Sequence, residues 1–582
     1  MKNKLSDLLL KLKYLVVNYP LILLASLATV FVIIHGIETN PNDNDEYLLL
    51  RMGLTFSLGI SLFFALKMLS QRLNKGFLIQ LVGVLFLAIY YFVFPKNEDD
   101  FNETYFFIIV PVFILSHLLV AFIPFIKKEN SEESFWQYNK NLFINLFLTA
   151  IFTGVLTGGI ELAIVAVQEL FSVDFDDKIY PEVFVTLAIF GSTCIFLLFN
   201  ETGLNYLERD GKYPVVLKFF TQFILIPLLL IYVVILYFYS IKIVINWELP
   251  RGWVSYLVLA YSIIGILALL LVHPLKNEKA KSWVFFFSKI FYYTLIPLIV
   301  LLFTAIFTRV LQYGYTEARY FVLLISLWLT TVVLYFIFNK KATIKFIPIS
   351  LFAFGLFALI FPYMNAFSVS KRSQQKELLS LLEQNKLLVN GKIDFNKKIV
   401  DTIAYNIQDK FEFLSERNET AQLLPYLDSK IKSEVKENKY WYSGLFKNIT
   451  TTSTDNYNNY RRLYSDKKYF EIKEYQYFIK GGYNGDVETK VNGTTFKAAS
   501  NYNSNPSLKI TVNNTTKDIT PLLDELLKKY KNTSGDNTLD EISLETDIDK
   551  YHVKILFESI SWYTNETNYN FDNVTYLLKE NK

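Results

Sequence analysis

Two ionisable side chains interrupt long apolar stretches of the sequence, and such groups are the first candidates for chemistry. Glu161 lies about six residues inside the end of one stretch and Arg51 about four residues inside the end of another. At about 1.5 Å per residue, both lie roughly 6 to 10 Å below a membrane surface. An ionisable group there costs several kcal/mol unless it is paired or hydrated. Three interpretations are open: an Arg51–Glu161 ion pair, a substrate or proton site at Glu161, or a structural role in which Arg51 extends outward to the membrane surface and Glu161 makes a hydrogen bond.

Small residues accompany Glu161 at helical spacing. Gly154, Gly158, Glu161 and Gln168 follow one another at spacings of four, three and seven, which places them on one stripe of a helix. Two glycines four residues apart let a neighbouring helix approach closely in a membrane. Gly154 and Gly158 are therefore predicted to pack against another helix.

The elements that position these residues follow from composition. Of 582 residues, 52% are hydrophobic and only 19% charged, and the mean hydropathy is +0.27. Runs of about 20 apolar residues, the length that crosses a bilayer, recur before residue 363. We predict an all-α polytopic transmembrane bundle at residues 1–363 with about 11 spans. They are expected near 15–37, 47–69, 77–94, 105–126, 142–167, 183–199, 219–240, 253–273, 283–308, 320–338 and 344–361.

Loop charge predicts the orientation of these spans. Lys and Arg residues near span ends are retained in the cytoplasm, and alternate loops here carry 18 and six of them. The N-terminus is therefore predicted to be cytoplasmic. An odd number of spans places the C-terminus outside, whereas merging the last two across the short turn at 339–343 gives an even number and a cytoplasmic C-terminus.

The remaining residues, 364–582, are polar and are predicted to form an extracytoplasmic α+β domain. Helical spacing of Leu and Ile predicts helices within 370–450. Runs rich in Tyr, Phe, Ile and Val, separated by Asn and Gly clusters, predict strands within 465–582. After Asn365 the chain carries 31 Lys and Arg against 30 Asp and Glu, so no basic footprint for nucleic acid is present.

Metal, cofactor and catalytic motifs are not found in the sequence. There is one cysteine, Cys194, and the four histidines are scattered, so neither a disulfide framework nor a metal cluster is expected. No phosphate-binding glycine loop, G-x-S-x-G elbow or H-E-x-x-H motif appears. We expect no cofactor and favour a protein that is not an enzyme.

Four short segments resemble one family. They are Thr157-Gly-Gly-Ile-Glu-Leu-Ala163, Leu249-Pro-Arg-Gly-Trp-Val254, Thr316-Glu-Ala-Arg-Tyr320 and Ser368-Val-Ser-Lys-Arg-Ser-Gln374. Over roughly residues 140–380 they resemble the bacterial multi-pass family catalogued as domain of unknown function 4153. The resemblance implies an integral membrane protein of a bacterium and carries over no activity, cofactor or catalytic residue.

The predicted topology gathers charged residues of these segments at the outer face. Glu161, Arg251, Glu317 and Arg319 are predicted to form a polar site there, capped by the C-terminal domain. Two arginines suit an anionic headgroup or phosphate. The competing interpretation is that these residues only anchor short loops at the lipid interface.

Three functions are compatible with this sequence. The favoured one is a non-enzymatic inner-membrane protein whose outer part binds an envelope component, such as an anionic lipid, or senses a signal. The second is a transporter or lipid exporter, which the position of Glu161 favours. The third is a polyprenyl-phosphate-dependent glycosyltransferase, although the first outer loop of about nine residues is short for that class. The bilayer is the one partner expected in every case, and the oligomeric state stays open.

Overall fold

The computed structural model describes most of the chain. The described residues are 2–39, 43–127, 131–200, 202–209, 214–246, 253–273, 282–437, 441–442, 445–446, 448–450, 460–465, 472–482, 485–501, 507–530, 535–563 and 569–581. Contacts divide them into two compact units, one of residues 1–397 and 403–448 and one of residues 398–402 and 449–582. The boundary at 363 marks a change in composition, and as a membrane boundary it stays a prediction.

The apolar part of the first unit is entirely helical. Its helices are α1 (Lys2–Asn18), α2 (Pro20–Thr39), α3 (Asp43–Leu73), α4 (Gly76–Val93), α5 (Glu103–Phe122), α6 (Glu132–Phe171), α7 (Ile179–Val185), α8 (Ser192–Phe199), α9 (Leu204–Leu207), α10 (Val215–Phe219), α11 (Ile226–Asn246), α12 (Trp253–Val272), α13 (Ser282–Tyr313), α14 (Glu317–Phe338) and α15 (Phe346–Ile360). A π-helical turn at Thr186–Gly191 joins α7 to α8, and another at Phe220–Leu225 joins α10 to α11. Among the described residues, ten continuous helices are long and apolar enough to span a membrane. The chain is therefore a multi-pass membrane protein.

The helix α15 is shorter than these ten, yet together with the residues just after it, it runs back along most of α14. At its start, the ring of Phe346 stacks on Tyr335 with centroids 3.9 Å apart, near the end of α14. Just after its end, the carbonyl oxygen of Met364 accepts a hydrogen bond from the hydroxyl of Tyr320, near the start of α14. The two helices are thus antiparallel, and the chain after α15 returns to the end of the bundle where α14 begins.

Loops rich in lysine contact one another at one end of the bundle, which we call the lysine-rich face (the ends of α3, α5, α8 and α14 and the starts of α6 and α15). The backbone N–H of Ile344 donates to Oε1 of Glu132 at 2.9 Å. Arg72 donates to the carbonyl of Pro124 at 3.2 Å and forms an ion pair with Glu208. These loops all belong to the set predicted to share one side.

The alternate loops meet at the opposite end, which we call the acid-rich face (the starts of α3, α5 and α14 and the residues after α15). The hydroxyl of Tyr47 donates to the carbonyl of Pro95 at 3.0 Å. Nη2 of Arg417, a residue beyond the last apolar helix, lies 3.2 Å from Oε2 of Glu103 at the start of α5. The chain that follows α15 therefore lies on the same face as the start of α5.

Two separate apolar clusters hold the bundle together. One joins α11, α12, α13 and α14 around fully buried residues such as Phe291 and Leu329. The other joins α1 to α6 and α8 around residues such as Leu58 and Tyr138. Between them, the indole N–H of Trp136 donates to the carbonyl of Leu270 at 2.8 Å. The second cluster adjoins the cavity described below.

A small helical layer completes the first unit. It contains α16 (Ala366–Gln384), the strands β1 (Leu388–Val389) and β2 (Lys392–Ile393), and α18 (Ser429–Glu437), while α17 (Asp401–Ser415) begins in the second unit's short segment and continues into the first. Asn365 caps α16 by accepting from the backbone N–H of Ser368 at 2.8 Å, a usual N-cap interaction. Trp441 packs on Phe411 of α17 and donates to Ser415 at 3.0 Å. These contacts give α17 an apolar core of its own.

The second unit consists mainly of two sheets, a four-stranded antiparallel sheet and a six-stranded mixed sheet. Its elements are β3 (Ile399–Val400), β4 (Ile449–Thr450), β5 (Tyr460–Ser465), β6 (Tyr477–Lys480), β7 (Val487–Val491), β8 (Thr494–Asn501), β9 (Ser507–Val512), β10 (Thr515–Asp518), α19 (Thr520–Lys528), β11 (Gly535–Leu539), β12 (Ile542–Ile548), β13 (Tyr551–Tyr563) and β14 (Tyr569–Glu580). The mixed sheet has the order β11-β5-β13-β14-β6 with β12 also on β13, and β11 pairs with β5 in parallel; the other sheet has the order β10-β9-β8-β7. Their core contains Phe496, Ile510, Val553 and Tyr576. The prediction of a helical bundle followed by an α+β region is confirmed.

Candidate functional site

A cavity of about 980 Å³ opens among α2, α3, α5, α6 and the helix formed by α7 and α8. Most of its wall is apolar, with Phe64, Leu146, Phe184 and Phe196 among the lining residues. The size is at the upper end of the range for small-molecule sites, about 300 to 1,000 Å³. Nine polar side chains are among its described lining residues, and four of them lie on α6.

Three threonines form a row along the cavity side of α6. Thr149, Thr153 and Thr157 are four residues apart and line the cavity, and their exposed fractions are 4%, 8% and 5%. None of the three hydroxyl oxygens has a hydrogen-bond partner in the structure. By contrast, the hydroxyl of Thr29 donates to the carbonyl of Ala25 at 2.8 Å. A buried hydroxyl without a partner costs about 1 to 3 kcal/mol. The three oxygens are almost fully covered, so a ligand in the cavity would gain these partners when the side chains rotate toward it.

Glu161 continues this row by one more helical turn. It is half-buried and lines the same cavity. No described side chain forms a hydrogen bond or an ion pair with its carboxylate. Other acids of the first unit, such as Glu317, are paired with a basic side chain. The candidate residue Glu161 thus lies in the wall of the cavity.

The two glycines of α6 do not pack against another helix, contrary to our prediction. A Cβ atom built on Gly154 or Gly158 meets no heavy atom within 4 Å. Both glycines line the cavity instead. Their lack of a side chain widens the cavity beside Glu161, because no helix comes close enough to fill that space.

The wall opposite α6 carries a histidine with a defined hydrogen bond. Nδ1 of His117 lies 2.8 Å from the carbonyl oxygen of Phe113, so the neutral ring donates from Nδ1 and keeps Nε2 as an acceptor. The neighbouring Ser116 hydroxyl lies 2.8 Å from that of Ser61. The cavity therefore offers acceptors at Glu161 and His117.

A π-helical turn shapes the third wall. Residues Thr186–Gly191 form this turn, and Ala188 and Ser192 line the cavity. The hydroxyl of Ser192 donates to the carbonyl of Ala188 at 2.6 Å, which satisfies one of the carbonyls that the wider turn displaces. Such turns are rare and occur frequently at functional sites. Nothing in the apolar sequence around it signals this turn.

Arg51 does not form the predicted ion pair with Glu161. Its guanidinium lies over the ring of Tyr91, 4.5 Å from the centroid, and 5.7 Å from that of Tyr47. Nη2 lies 3.5 Å from the carbonyl oxygen of Tyr91, and the side chain is almost fully buried. Cation–π attraction to two neighbouring aromatic rings thus holds the Arg51 guanidinium, instead of the Glu161 carboxylate.

Glu317 is engaged by a residue that the sequence analysis did not single out. Arg417 donates from Nε to Oε1 and from Nη2 to Oε2 of Glu317, both at 3.1 Å. Glu317 is 2% exposed and Arg417 9%, and the guanidinium also lies over the ring of Phe413. Because the two residues are 100 positions apart, no local pattern signals this bidentate pair.

Arg319 holds a loop. Its Nη1 donates to the carbonyl of Gly314 at 2.9 Å, and Gln374 donates to the carbonyls of Tyr313 and Tyr315 at 2.9 and 2.7 Å. Gly314 has φ +73, and a Cβ there would lie about 3 Å from Gln374 Nε2. Residues 316–320 and 368–374, two of the segments that resemble the family, are therefore in contact.

The same loop holds a buried lysine of α17. Nζ of Lys410 donates to the carbonyl of Tyr313 at 3.2 Å. Burial, and second the positive charge of Arg319, lower the pKa of the Lys410 ammonium below its usual value. The contacts around Tyr313 are thus structural.

The four residues of the predicted outer site are not brought together. Glu161 lines a cavity whose walls include neither Glu317 nor Arg319, and Arg251 lies outside the described residues. Arg319 anchors a loop, as the competing interpretation expects, and Glu317 is bound by Arg417. A site for an anionic group at Arg251 and Arg319 stays a prediction.

The cavity beside Glu161 combines an apolar wall with hydrogen-bonding side chains. Within the described ranges, no group of three His, Cys, Asp or Glu side chains could hold a metal ion. No lysine or arginine is among the described residues that line the cavity. Its hydroxyls and acceptors can hold a ligand that has a long apolar part and a hydrogen-bond donor.

Comparisons with known proteins place the chain in a family. An uncharacterised protein of Pasteurella multocida (strain Pm70) is 24% identical over 333 residues, 56% of this chain and 52% of that relative. The chain thus matches about half the length of this relative. No solved structure matches. The model of the family described as domain of unknown function (DUF4153) matches residues 21–389, which include Glu161, Glu317 and Arg319 but not Arg417, and the chain therefore belongs to this family.

Proposed function

We propose that this protein is a non-enzymatic component of a bacterial inner membrane that binds an amphipathic envelope lipid in the cavity beside Glu161. The observation that carries the proposal is the row of three buried threonine hydroxyls without partners, next to an unpaired carboxylate in an otherwise apolar cavity. An acyl chain suits the apolar wall, and the polar row supplies partners for a headgroup.

The polar groups also define the headgroup. Glu161 is an acceptor when ionised, and neutral His117 keeps an acceptor at Nε2. An isolated phosphate has no cation to pair with among the described lining residues. The ligand is therefore a lipid with a donor, either an ammonium or a hydroxyl group. This preference differs from the anionic ligand predicted for the outer site.

The proposed orientation has the N-terminus in the cytoplasm and the chain after α15 in the periplasm. The 18-to-six distribution of Lys and Arg supports it, and so does the return of α15 along α14 to the acid-rich face. Alkaline phosphatase fused after Lys582 is expected to be active, and a fluorescent protein that folds only in the cytoplasm is expected to stay dark there. Fluorescence would contradict the proposed orientation.

Lipid binding is tested with two pairs of threonines. The segments 149–156 and 304–311 share the pattern Thr-Ala-Ile-Phe-Thr, but the hydroxyls of Thr304 and Thr308 donate to carbonyls of their own helix at 2.9 and 2.8 Å. Thr149→Val with Thr153→Val removes two hydroxyls of the row, and Thr304→Val with Thr308→Val is the matched control. We expect the first double variant and Glu161→Gln to bind the lipid about tenfold more weakly, and the control to bind like the wild type.

The probes are dioleoyl phosphatidylethanolamine, dioleoylglycerol and dioleoyl phosphatidylcholine, whose headgroup has no hydrogen-bond donor; they are titrated onto the detergent-solubilised full chain and followed by native mass spectrometry. Binding of the first two over the third, with loss in the Glu161→Gln variant, is the expected result. Equal binding of all three lipids, unchanged in every variant, would show that they only coat the bundle and would refute the proposal.

Lipid export is the second candidate, and the π-helical turn at Thr186–Gly191 favours it. Irregular turns beside a binding cavity are found where transporter helices bend. Export requires movement between leaflets, so proteoliposomes with a fluorescent phosphatidylethanolamine are expected to show Glu161-dependent transfer. Binding without transfer would leave the binding function in place and exclude export of this lipid. No group in the cavity favours the glycosyltransferase.

A further inference from the structure

A second cavity lies in the β-sheet unit, on the face of the six-stranded sheet that points away from the core. It has a volume of about 500 Å³ and is built on β5, β13 and β14. Leu463 and Ile560 point into the core and are fully buried. Arg462 and Tyr464, which alternate with Leu463 along β5, therefore point to the opposite face, where they line this cavity.

A local irregularity concentrates polar side chains at this point. Phe557 and Ile560 of β13 both lie in the core, and so do the residues paired with them, Val574 and Phe571 of β14. Since these core positions are three residues apart rather than two, each strand places two consecutive residues on the outer face. The four are Glu558, Ser559, Asp572 and Asn573. Asn573 has φ +46, a conformation that Asn tolerates better than most residues.

These side chains form a network with spare hydrogen-bonding groups. Ser559 donates to Oδ2 of Asp572 at 2.7 Å, and Arg462 Nη2 lies 3.3 Å from the same oxygen. Asn573 donates to Oε2 of Glu558 at 2.5 Å. Oδ1 of Asp572, Oε1 of Glu558 and Nη1 of Arg462 have no partner in the structure, so acceptors and a donor face the cavity together.

The chemistry of this cavity fits a sugar. Hydroxyl groups of a sugar both donate and accept, as this set of side chains requires. The ring of Tyr464 is 40% exposed and offers an apolar face with a polar tip, the surface on which a sugar ring can stack. Two carboxylates against one guanidinium disfavour an anion. The rim needs glycine at Gly481, where a Cβ would lie 2.8 Å from the carbonyl oxygen of Val574.

We propose that this cavity binds one or two sugar units of a neutral glycan. The site is separate from the lipid cavity, since none of its residues belongs to the first unit. It goes beyond the proposed lipid function and does not depend on it. A volume of about 500 Å³ is within the usual range for small ligands.

The test uses the full chain in a sugar-free detergent, such as lauryldimethylamine oxide, because maltoside detergents would compete. Chitotriose and maltotriose are the probes, and saturation-transfer NMR measures their binding. Asp572→Ala and Tyr464→Ala are expected to weaken binding about tenfold. Phe478→Ala is the matched control, since Phe478 is exposed on β6 and does not line the cavity; it is expected to bind like the wild type.

Two results would overturn the proposal. One is no binding of either trisaccharide up to about 10 mM. The other is equal loss in the Phe478→Ala control, which would indicate a non-specific surface. Hydrogen exchange of β13 verifies that each variant keeps its sheet. Lipid binding is measured on the same samples and is expected to be unchanged, so failure here is distinguishable from failure of the proposed function.

Discussion

Replacing Glu317 by glutamine tests how the helical layer is held to the bundle. Arg417 contacts two carboxylates of different exposure, since Glu317 is 2% exposed and Glu103 is 61% exposed. The distances are nearly equal, 3.1 Å to Glu317 and 3.2 Å to Glu103. Glu317→Gln and Glu103→Gln thus each remove one carboxylate charge next to Arg417, one that is buried and one that is exposed.

The expected magnitudes follow from burial. Removing one partner of a buried pair costs about 3 to 5 kcal/mol because the other charge stays buried. Arg417 keeps its contact with Glu103 in the Glu317→Gln variant. We therefore expect the cost in free energy to lie at the lower end of this range, about 3 kcal/mol. The exposed Glu103 carboxylate resembles a surface ion pair, worth about 0 to 1 kcal/mol. Since 1.4 kcal/mol is a factor of ten, the two variants should differ by roughly 30- to 150-fold in local opening.

Hydrogen exchange of residues 403–415, measured by mass spectrometry on the full chain in micelles, reports this opening. Exchange is expected to be about 100-fold faster in Glu317→Gln and no more than about fivefold faster in Glu103→Gln. Exchange in α12, which contacts neither residue, should not change in either variant. Similar exchange of residues 403–415 in the two variants would refute the argument that burial decides the strength of the Arg417 contacts.

Three further substitutions probe other parts of the chain. Gly314→Ala forces a side chain onto a residue with φ +73 beside Gln374. We expect the free energy of local opening to fall by about 1 to 3 kcal/mol, measured as faster hydrogen exchange of α16. Gly154→Ala is the control. Gly154→Leu places its side chain in open space and should leave thermal stability unchanged while it weakens lipid binding about tenfold; unchanged binding would show that the lipid does not reach α6. Asn573→Val puts a β-branched residue at φ +46. We expect it to weaken or abolish trisaccharide binding and to lower the sheet's free energy of unfolding by about 1 to 2 kcal/mol. Wild-type trisaccharide affinity in this variant would contradict the role assigned to the irregularity of β13 and β14.

Features encoded by local pattern are predicted well from the sequence. The long apolar runs became helices, because a span of about 20 apolar residues has no other stable form in lipid. In the second unit, the strands predicted within 465–582 correspond to β6 to β14. The short strand β7 has the sequence VETKV, whose polar residues give only a brief alternation.

Long-range contacts are the part that the sequence could not supply. Glu161 was identified because a charge in an apolar run is conspicuous, but its neighbours depend on which helices surround it. Gly154 and Gly158 fit a helix-packing pattern equally well whether a helix or a cavity lies opposite. The partner of Glu317 is 100 residues away and comes from a different part of the chain. Each of these needs the arrangement of helices, which local periodicity does not determine.

The short helix α15 has a consequence for the surrounding membrane. Its 15 residues extend about 23 Å, less than the roughly 30 Å hydrocarbon thickness of an ordinary bilayer. Ile349, Leu356 and Ile360 are exposed on its surface, so lipid tails contact this helix directly. Hydrophobic mismatch of about 7 Å thins the adjacent leaflets at a modest free-energy cost per ångström. Lipids with shorter acyl chains are therefore expected to collect beside α15, so that the bilayer around this protein differs in thickness and composition from one side to the other.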